Sequence, residues 1–293
     1  MGASGCPHAR SIPAMTSLYV AIWTEARPVI VVSAFSLSLI TATELLFPRE
    51  KQSLRQRLIG LQIWALYVPF NMIAFRLFHD FWVSIGIRPL ITIPLSFDWV
   101  GISGVVLAPI AGALVYDFFF YWFHRVQHAV SWRFHAVHHA IRELNAVNSY
   151  HHVSEPIFQA IFLVLPASLI VTDTGPIVPA MLIVLHLHAS YIHSPTRLHL
   201  GPLRVFFCDN RFHRIHHSLE EKHFDKNFGA FTTLWDRLFG TAWFPTENEW
   251  PETGLAEIDQ PRSLRTWADL PIRWRRNRRD QVEEAALAKH SRA

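Results

Sequence analysis

Long apolar runs alternate with short polar segments over the first half of the chain. Residues 28–47 form an apolar run with a single acid, Glu44, near its end. Residues 58–78 form a second apolar run, and residues 99–123 form a third. A membrane-spanning helix needs about 20 mostly apolar residues, so each run is long enough to cross a bilayer. The pattern therefore predicts three transmembrane helices within residues 28–123.

Two shorter apolar runs follow in the second half, at residues 157–171 and 177–192. The segment Thr-Asp-Thr-Gly-Pro at 172–176 separates them and has the composition of a turn. We expect a helical hairpin that enters the membrane and returns to the same face. Together with the three longer runs, the hairpin predicts an all-α integral membrane protein with about four transmembrane or hairpin elements.

The polar segments divide the chain into four predicted regions. The first is a lead-in at residues 1–27, which lacks the charged-then-apolar order of a secretory signal. The others are transmembrane helices at 28–123, a catalytic region at 124–250 that includes the hairpin at 157–192, and a charged tail at 251–293.

Basic residues predict which face of the membrane carries the polar half of the chain. The short loop between the first two runs contains four of them, Arg49, Lys51, Arg55 and Arg57. Loops rich in Lys and Arg stay in the cytoplasm, and the third run ends on the same side as this loop. We therefore expect a cytoplasmic helical cap after the third run.

Composition supports a membrane protein and limits its chemistry. The chain is 51% hydrophobic and only 17% charged, and its mean hydropathy is positive. Its net charge of +4 gives no indication of nucleic-acid binding. Two cysteines are too few for an iron–sulfur cluster, and no Gly-rich dinucleotide motif is present. A redox reaction would therefore need electrons from another protein.

Histidines are concentrated after the third run, in one HxxxH motif and two HxxHH motifs. These motifs contain eight of the 18 histidines: His124, His128, His135, His138, His139, His213, His216 and His217. Residues three or four apart share a face of a helix, so each motif can direct two or three imidazoles the same way. Eight imidazoles exceed the four ligands of a structural zinc site. The motifs therefore predict a site for two metal ions.

The chemistry favours two iron ions (Fe²⁺), and zinc stays possible. The HExxH motif of zinc hydrolases is absent, as is the Glu-x-x-His motif of soluble di-iron bundles. Iron beside a bilayer would suit the activation of dioxygen against a lipid C–H bond. Two alternatives stay open: a zinc-dependent membrane hydrolase, and a histidine-rich membrane protein that transports or stores metal.

The acid Asp117 lies seven residues before His124, which places both residues on one face of a helix. A carboxylate there could orient a ligand imidazole through a hydrogen bond. Asp117 could equally be a polar residue in helix packing.

The motifs and their surroundings resemble the fatty acid hydroxylase superfamily, also called the sterol desaturase family. The resemblance covers roughly residues 100–245. It rests on YWFHRVQH at 121–128, RFHAVHH at 133–139, RFHRIHH at 211–217 and DKNFGAFTTLWDRLFGT at 225–241.

The resemblance implies a membrane-embedded helical fold with a cytoplasmic di-iron site. Members hydroxylate or desaturate sterols, fatty acyl chains, ether lipids or other amphiphiles with dioxygen and external electrons. A donor of the cytochrome b5-like or ferredoxin type, with its reductase, would then supply the electrons. The resemblance also implies further ligands between the second and third motifs, with His193, His152 and His188 as candidates.

Overall fold

Three long helices occupy the first half of the chain. The computed structural model describes residues 14–86, 89–94, 101, 103–173 and 177–274. The helices are α1 (Ala14–Leu46), α2 (Leu54–Ser84) and α3 (Gly104–Ala129). Their stretches that are long and apolar enough to cross a membrane are Ala26–Leu46, Leu54–Ser84 and Val106–Ala129. Many of their large apolar side chains are exposed, as is expected for helices that face lipid.

Each of these helices has boundaries that differ from those of its predicted run. Helix α1 begins at Ala14, within the predicted lead-in, although residues 1–13 lie outside the described part of the chain. Helix α3 continues to Ala129, because the polar residues of the first histidine motif extend the helix without breaking it. The HxxxH motif is therefore part of α3 and does not follow it.

The segment predicted as a hairpin contains two helical arms with a short strand between them, and its path through the membrane stays a prediction. One arm consists of α5 (Glu155–Gln159), a π-helical turn (Ala160–Val164) and α6 (Leu165–Ser168). The other arm is α7 (Ile177–Ile192), which packs against α1 and α3. Between the arms, β2 (Ile170–Asp173) pairs in parallel with β1 (Ile91–Pro94). This two-strand pairing is an addition to the predicted all-α architecture, because the apolar pattern does not distinguish a helix end from a short strand.

Short helices form the cap that holds the histidines. They are α4 (Trp132–His139), a 3-10 turn (Gly201–Val205), α8 (Asn210–His216), a second 3-10 turn (Glu221–His223) and α9 (Leu234–Leu238). Asp209 begins α8, since its carboxylate accepts hydrogen bonds from the backbone amides of Arg211 and Phe212. The cap is joined to α1 through backbone hydrogen bonds between residues 47–49 and 195–197.

A buried ion pair connects α1 and α2 to the cap. Arg57 Nη1 lies 2.6 Å from Glu44 Oε2, and Glu44 Oε1 accepts a hydrogen bond of 2.8 Å from the backbone amide of Ala146. The charge of Glu44, the single acid of the first apolar run, is therefore paired near the C-terminal end of α1. Removing either partner would leave the other charge buried and unpaired, which is strongly destabilising.

The described part of the predicted tail packs onto the cap. Residues 264–274 are helical, and Trp267, Leu270 and Trp274 are buried in a core that also contains Ala136 and Val137 of α4. The Arg-rich segment beyond residue 274 lies outside the described residues. The division into four regions stays a prediction, but residues up to 274 support α4 directly.

Candidate metal centre

Three elements present the eight motif histidines to one another. His124 and His128 lie one turn apart on α3. His135, His138 and His139 lie on α4. His213 and His216 lie on α8, and His217 follows directly at its C-terminal end. Because α3, α4 and α8 meet in the cap, all eight side chains come together in one region, in which seven are buried and His128 is partly buried.

The histidines form two adjoining clusters whose donor atoms lie within 4.8 Å of one another in each. The first cluster consists of His124, His128, His135, His139 and His216. The second cluster consists of His138, His193, His213 and His217. The clusters are in direct contact, since the His139 and His217 rings are stacked with their centroids 4.5 Å apart.

The two HxxHH motifs divide in opposite ways between the clusters. On α4, the i and i+4 residues His135 and His139 belong to the first cluster and His138 belongs to the second. On α8, His216 belongs to the first cluster, while His213 and His217 belong to the second. Each helix therefore gives a pair of imidazoles one turn apart to one cluster and a single imidazole to the other.

Distances between ring nitrogens fit metal coordination. Nε2 of His213 lies 3.0 Å from Nε2 of His193 and 3.3 Å from Nε2 of His217. In the first cluster, Nε2 of His135 lies 3.0 Å from Nε2 of His124 and 3.2 Å from that of His139. Two nitrogens bound to one ion at about 2.1 Å would lie roughly 3.0–3.4 Å apart. The Nε2 atoms thus have the spacing of ligands around a common centre.

Three of the cluster histidines are oriented by backbone carbonyls that bind the outer ring nitrogen. Nδ1 of His124 donates to the Phe228 carbonyl at 2.8 Å, and Nδ1 of His216 donates to the Lys226 carbonyl at 2.8 Å. In the second cluster, Nδ1 of His193 donates to the Ala189 carbonyl at 2.7 Å. These bonds place the proton on Nδ1 and leave the Nε2 lone pair directed inward, as a metal ligand requires.

Burial keeps the imidazoles of the cap neutral. Desolvation lowers the pKa of each cap histidine well below the usual value, and neighbouring imidazoles lower it further; these residues are His135, His138, His139, His213, His216 and His217. The Nε2 atoms of His128 and His216 are buried and find no hydrogen-bond partner among the residues that the structure describes. Such atoms are costly to bury unless an ion binds them, so the clusters fit a metal cofactor.

Of the three further ligand candidates, the structure brings only His193 into a cluster. His152 contacts the Ser154 hydroxyl through Nδ1 at 2.8 Å and the Ala268 carbonyl through Nε2 at 3.3 Å. His188 precedes His193 by five residues, a turn of about 140° on a helix, and its ring packs against Phe231 instead. The prediction that His152 and His188 are ligands is therefore not supported by their positions.

The sequence prediction passed over His151 and Glu155 in favour of His152. The His151 ring is stacked on His138 with a centroid distance of 4.1 Å, and His151, Glu155 and His135 form a third group of possible ligands. Glu155 Oε1 accepts a hydrogen bond of 2.6 Å from Gln127, and Oε2 is buried without a partner in the described part of the chain. The i, i+4 spacing of His151 and Glu155 was the available signal.

Asp117 supports the centre indirectly. Its carboxylate accepts hydrogen bonds of 2.9–3.0 Å from the backbone amides of Ala230, Phe231 and Thr232. The predicted hydrogen bond to an imidazole is therefore wrong in its geometry, since both carboxylate oxygens face this loop. The same loop contains the Phe228 carbonyl that orients His124, so Asp117 acts on the ligand through the backbone.

Glycine is required in the loop that Asp117 holds. A Cβ at Gly229 would lie 2.5 Å from the Thr232 carbonyl oxygen and 3.0 Å from Asp236 Oδ2. Asp236 in turn accepts hydrogen bonds of 2.8 Å from the amides of Phe228 and Gly229. Two buried carboxylates thus fix the position of the carbonyl that the first cluster uses.

A model of the family described as "Fatty acid hydroxylase" matches residues 109–241. This range contains α3 from Pro109 onward, both HxxHH motifs and the loop around Gly229. No solved structure matches the chain.

Several curated proteins are similar to about half of the chain. Alkylglycerol monooxygenase of Homo sapiens is 30% identical over 146 residues, which are 47% of this chain and 31% of that protein. Ornithine lipid hydroxylase of Rhizobium tropici is 28% identical over 167 residues, 52% of this chain and 49% of that protein. Very-long-chain aldehyde decarbonylase of Arabidopsis thaliana is 27% identical over 177 residues, which are 56% of this chain and 28% of that protein. The chain spans less than half the length of each of these relatives.

Proposed function

We propose that the protein is a membrane-bound di-iron oxygenase that hydroxylates or desaturates a lipid with dioxygen and external electrons, since the fatty acid hydroxylase family model matches residues 109–241. The observation that carries the proposal is the pair of adjoining all-histidine clusters at the end of apolar helices. The proposed catalytic region is 124–250, which follows the helices at 28–123 and is supported by the tail.

The donor set fits iron. Imidazole suits iron, zinc, copper and nickel, and neither cluster includes a cysteine among the described residues. His124, His128, His135, His139 and His216 would hold one ion, and His138, His193, His213 and His217 would hold the other. Bound iron would supply the redox chemistry that lets dioxygen react with a C–H bond, which redox-inert zinc does not offer.

Other residues of the site orient the ligands and limit the access of water. The backbone carbonyls of Phe228, Lys226 and Ala189 hold the imidazoles in one orientation, so the ligands need no reorganisation when the ions bind. Seven of the eight motif histidines are buried, which limits the access of water to the clusters. The chain thus supplies oriented and largely buried ligands.

A lipid substrate is supported by the names of the relatives. They act on an alkylglycerol, an ornithine lipid and a very-long-chain aldehyde, which are amphiphiles with long hydrocarbon chains. We propose that this chain also acts on a long-chain amphiphile. Electrons would come from a separate donor of the cytochrome b5-like or ferredoxin type with its reductase.

The basic loop between α1 and α2 supports a cytoplasmic site. Glu50 in this loop forms an ion pair with Arg214 of α8, and the amide of Ser53 donates to Glu143 in the cap. The loop and the clusters therefore lie on one side of the helices. Since loops rich in Lys and Arg remain cytoplasmic, we propose that the histidines face the cytoplasm.

Purified protein tests the proposed function against the zinc hydrolase alternative. We expect two iron ions per chain by elemental analysis. Lipid extracts from cells that express the protein should contain a species heavier by one oxygen atom or lighter by two hydrogen atoms, only under air. Zinc at both positions, together with lipid turnover that continues without oxygen and reductant, would contradict the proposal and favour a hydrolase.

A further inference from the structure

A cavity of about 110 Å³ lies between α1, α2 and α7, next to the metal centre. Its outer lining includes Ser33 and Leu37 of α1 and Ala189 of α7. Its inner lining includes His151 and His193. The cavity is much larger than the roughly 10–15 Å³ that one water molecule needs, so it can receive part of a ligand.

Two residues of the cavity lining, Ser33 and Leu37, lie on a helix that can cross a membrane. Ser33 and Leu37 belong to the stretch Ala26–Leu46, which is long and apolar enough to span a bilayer. Both side chains are partly exposed, and Ala189 is exposed beside them on α7. A ligand that enters here would come from the hydrocarbon interior of the bilayer and not from water.

The wall offers few free polar groups. The Ser190 hydroxyl donates to the His186 carbonyl at 2.9 Å, and the Ser149 hydroxyl donates to the Ala146 carbonyl at 2.9 Å. The Trp64 indole donates to the Val147 carbonyl at 2.8 Å. Because these donors are already satisfied by the backbone, the cavity suits a hydrocarbon chain better than a polar headgroup.

The cavity reaches the two clusters unequally. His193 of the second cluster lines it, and so does His151, whose ring is stacked on His138 of that cluster. Within the described part of the chain, none of the five histidines of the first cluster lines the cavity. The second cluster also has four imidazoles against five in the first, so an ion there would keep more coordination positions open.

We propose that this cavity binds the reacting segment of a lipid alkyl chain, which enters sideways between α1 and α7 and meets the metal centre at the second cluster. The inference rests on the proposed function for its chemistry. It adds the route, the part of the substrate that is bound, and the ion that the substrate approaches.

Two neighbouring substitutions on α1 test the route. Ser33→Phe fills the mouth of the cavity, and Ala34→Phe is the matched control because Ala34 is exposed and does not line the cavity. We expect Ser33→Phe to reduce lipid turnover roughly 100-fold by displacing the chain, with the bound metal unchanged. Ala34→Phe should retain the turnover and the metal of the unmodified protein. Equal turnover in the two variants would overturn the proposal.

Photolabelling tests the same cavity without turnover. The probe is a long-chain alcohol with a diazirine in the middle of its chain, reconstituted with the protein in phospholipid vesicles. We expect labelled peptides from residues 29–40 and 183–193, with labelling that is reduced by excess unlabelled alcohol and by Ser33→Phe but not by Ala34→Phe. Labelling of these peptides that neither the competitor nor Ser33→Phe reduces, or labelling elsewhere only, would overturn the proposal.

The two experiments separate the failure of this inference from the failure of the proposed function. If the unmodified protein modifies no lipid under any condition, the proposed function fails, whereas competed labelling of the cavity would still support a chain-binding site. If the unmodified protein is active and Ser33→Phe is equally active, the function stands and the route is wrong. If Ser33→Phe does not fold, competed labelling of the unmodified protein decides.

Discussion

Helices α4 and α8 contain the same HxxHH motif but are built into the protein by different forces. Helix α4 packs Ala136 and Val137 into an apolar core with the helix of residues 264–274. Helix α8 packs Phe212 in a smaller apolar cluster and is also held by polar anchors, since Asp209 caps it and Arg214 pairs with Glu50. The two helices also divide their histidines between the clusters in opposite ways. The same motif can therefore give two histidines to one cluster and one to the other, and the packing of each helix determines which cluster receives two.

The largest expected effect comes from one substitution on each helix. His135→Ala and His213→Ala together remove from each cluster a nitrogen that lies within 3.3 Å of two others. We expect the double variant to lose both ions and all turnover while it remains in the membrane. Elemental analysis of the purified variant measures this, and a variant that retains two ions would show that these histidines are not ligands.

Single substitutions sharpen the comparison between the helices. His216→Ala removes a ligand from the first cluster, and His138→Ala removes one from the second, although each residue lies on the helix that serves the other cluster more. We expect each variant to lose one ion and keep the other, because the intact cluster retains all its ligands. Loss of both ions in both variants would show that the clusters bind metal as a single unit.

Asp117→Asn tests the loop that orients His124. The carboxylate accepts three backbone hydrogen bonds, and an amide has only one oxygen to replace its two. We expect a loss of about 2 kcal/mol in stability and roughly tenfold weaker binding of the first ion. Thermal unfolding in detergent and metal titration measure the two effects. Unchanged metal affinity would limit Asp117 to a packing role.

A smaller effect is expected from the polar anchor of α8. Arg214→Met removes the ion pair with Glu50 and the hydrogen bond to the Pro251 carbonyl, while it keeps an unbranched side chain against Trp250. Because α8 gives two of the four ligands of the second cluster, we expect weaker binding of the second ion than of the first. Equal weakening of both ions in a metal titration would contradict a local role.

The smallest effect is expected for the two histidines outside the clusters. His188→Leu replaces a buried imidazole whose Nε2 has no partner in the described part of the chain, and His152→Ala removes a side chain near the tail. Metal content should remain unchanged in both variants, because neither residue belongs to a cluster. Loss of an ion from either variant would restore the residue as a ligand.

The sequence predicted the helices and the eight motif histidines because both follow from local spacing. Apolar runs of about 20 residues and i, i+3 and i+4 repeats are properties of single helices. The division of His135, His138 and His139 between two clusters was not predictable, because it depends on how α4 and α8 meet in space. His151 was passed over for His152 for the same reason, since the difference lies in which ring faces His138.

The partners of the polar groups in the predicted spans could not be predicted from the sequence either. Glu44 and Asp117 stood out as acids in apolar runs, but their partners, Arg57 and the amides of residues 230–232, are distant in sequence. The packing of Trp267 and Leu270 on α4 could not be predicted, because these apolar residues belong to a segment of charged composition. Contacts of this kind depend on tertiary structure and leave no periodic signal.

The central claim is that two metal ions are held by two histidine clusters between which α4 and α8 divide their ligands. Anomalous X-ray diffraction from crystals of the purified protein, recorded on both sides of the iron and zinc absorption edges, tests it most directly. The account predicts two iron peaks, one among His124, His128, His135, His139 and His216 and one among His138, His193, His213 and His217. A single peak, or an ion bound by His152 or His188, would contradict it.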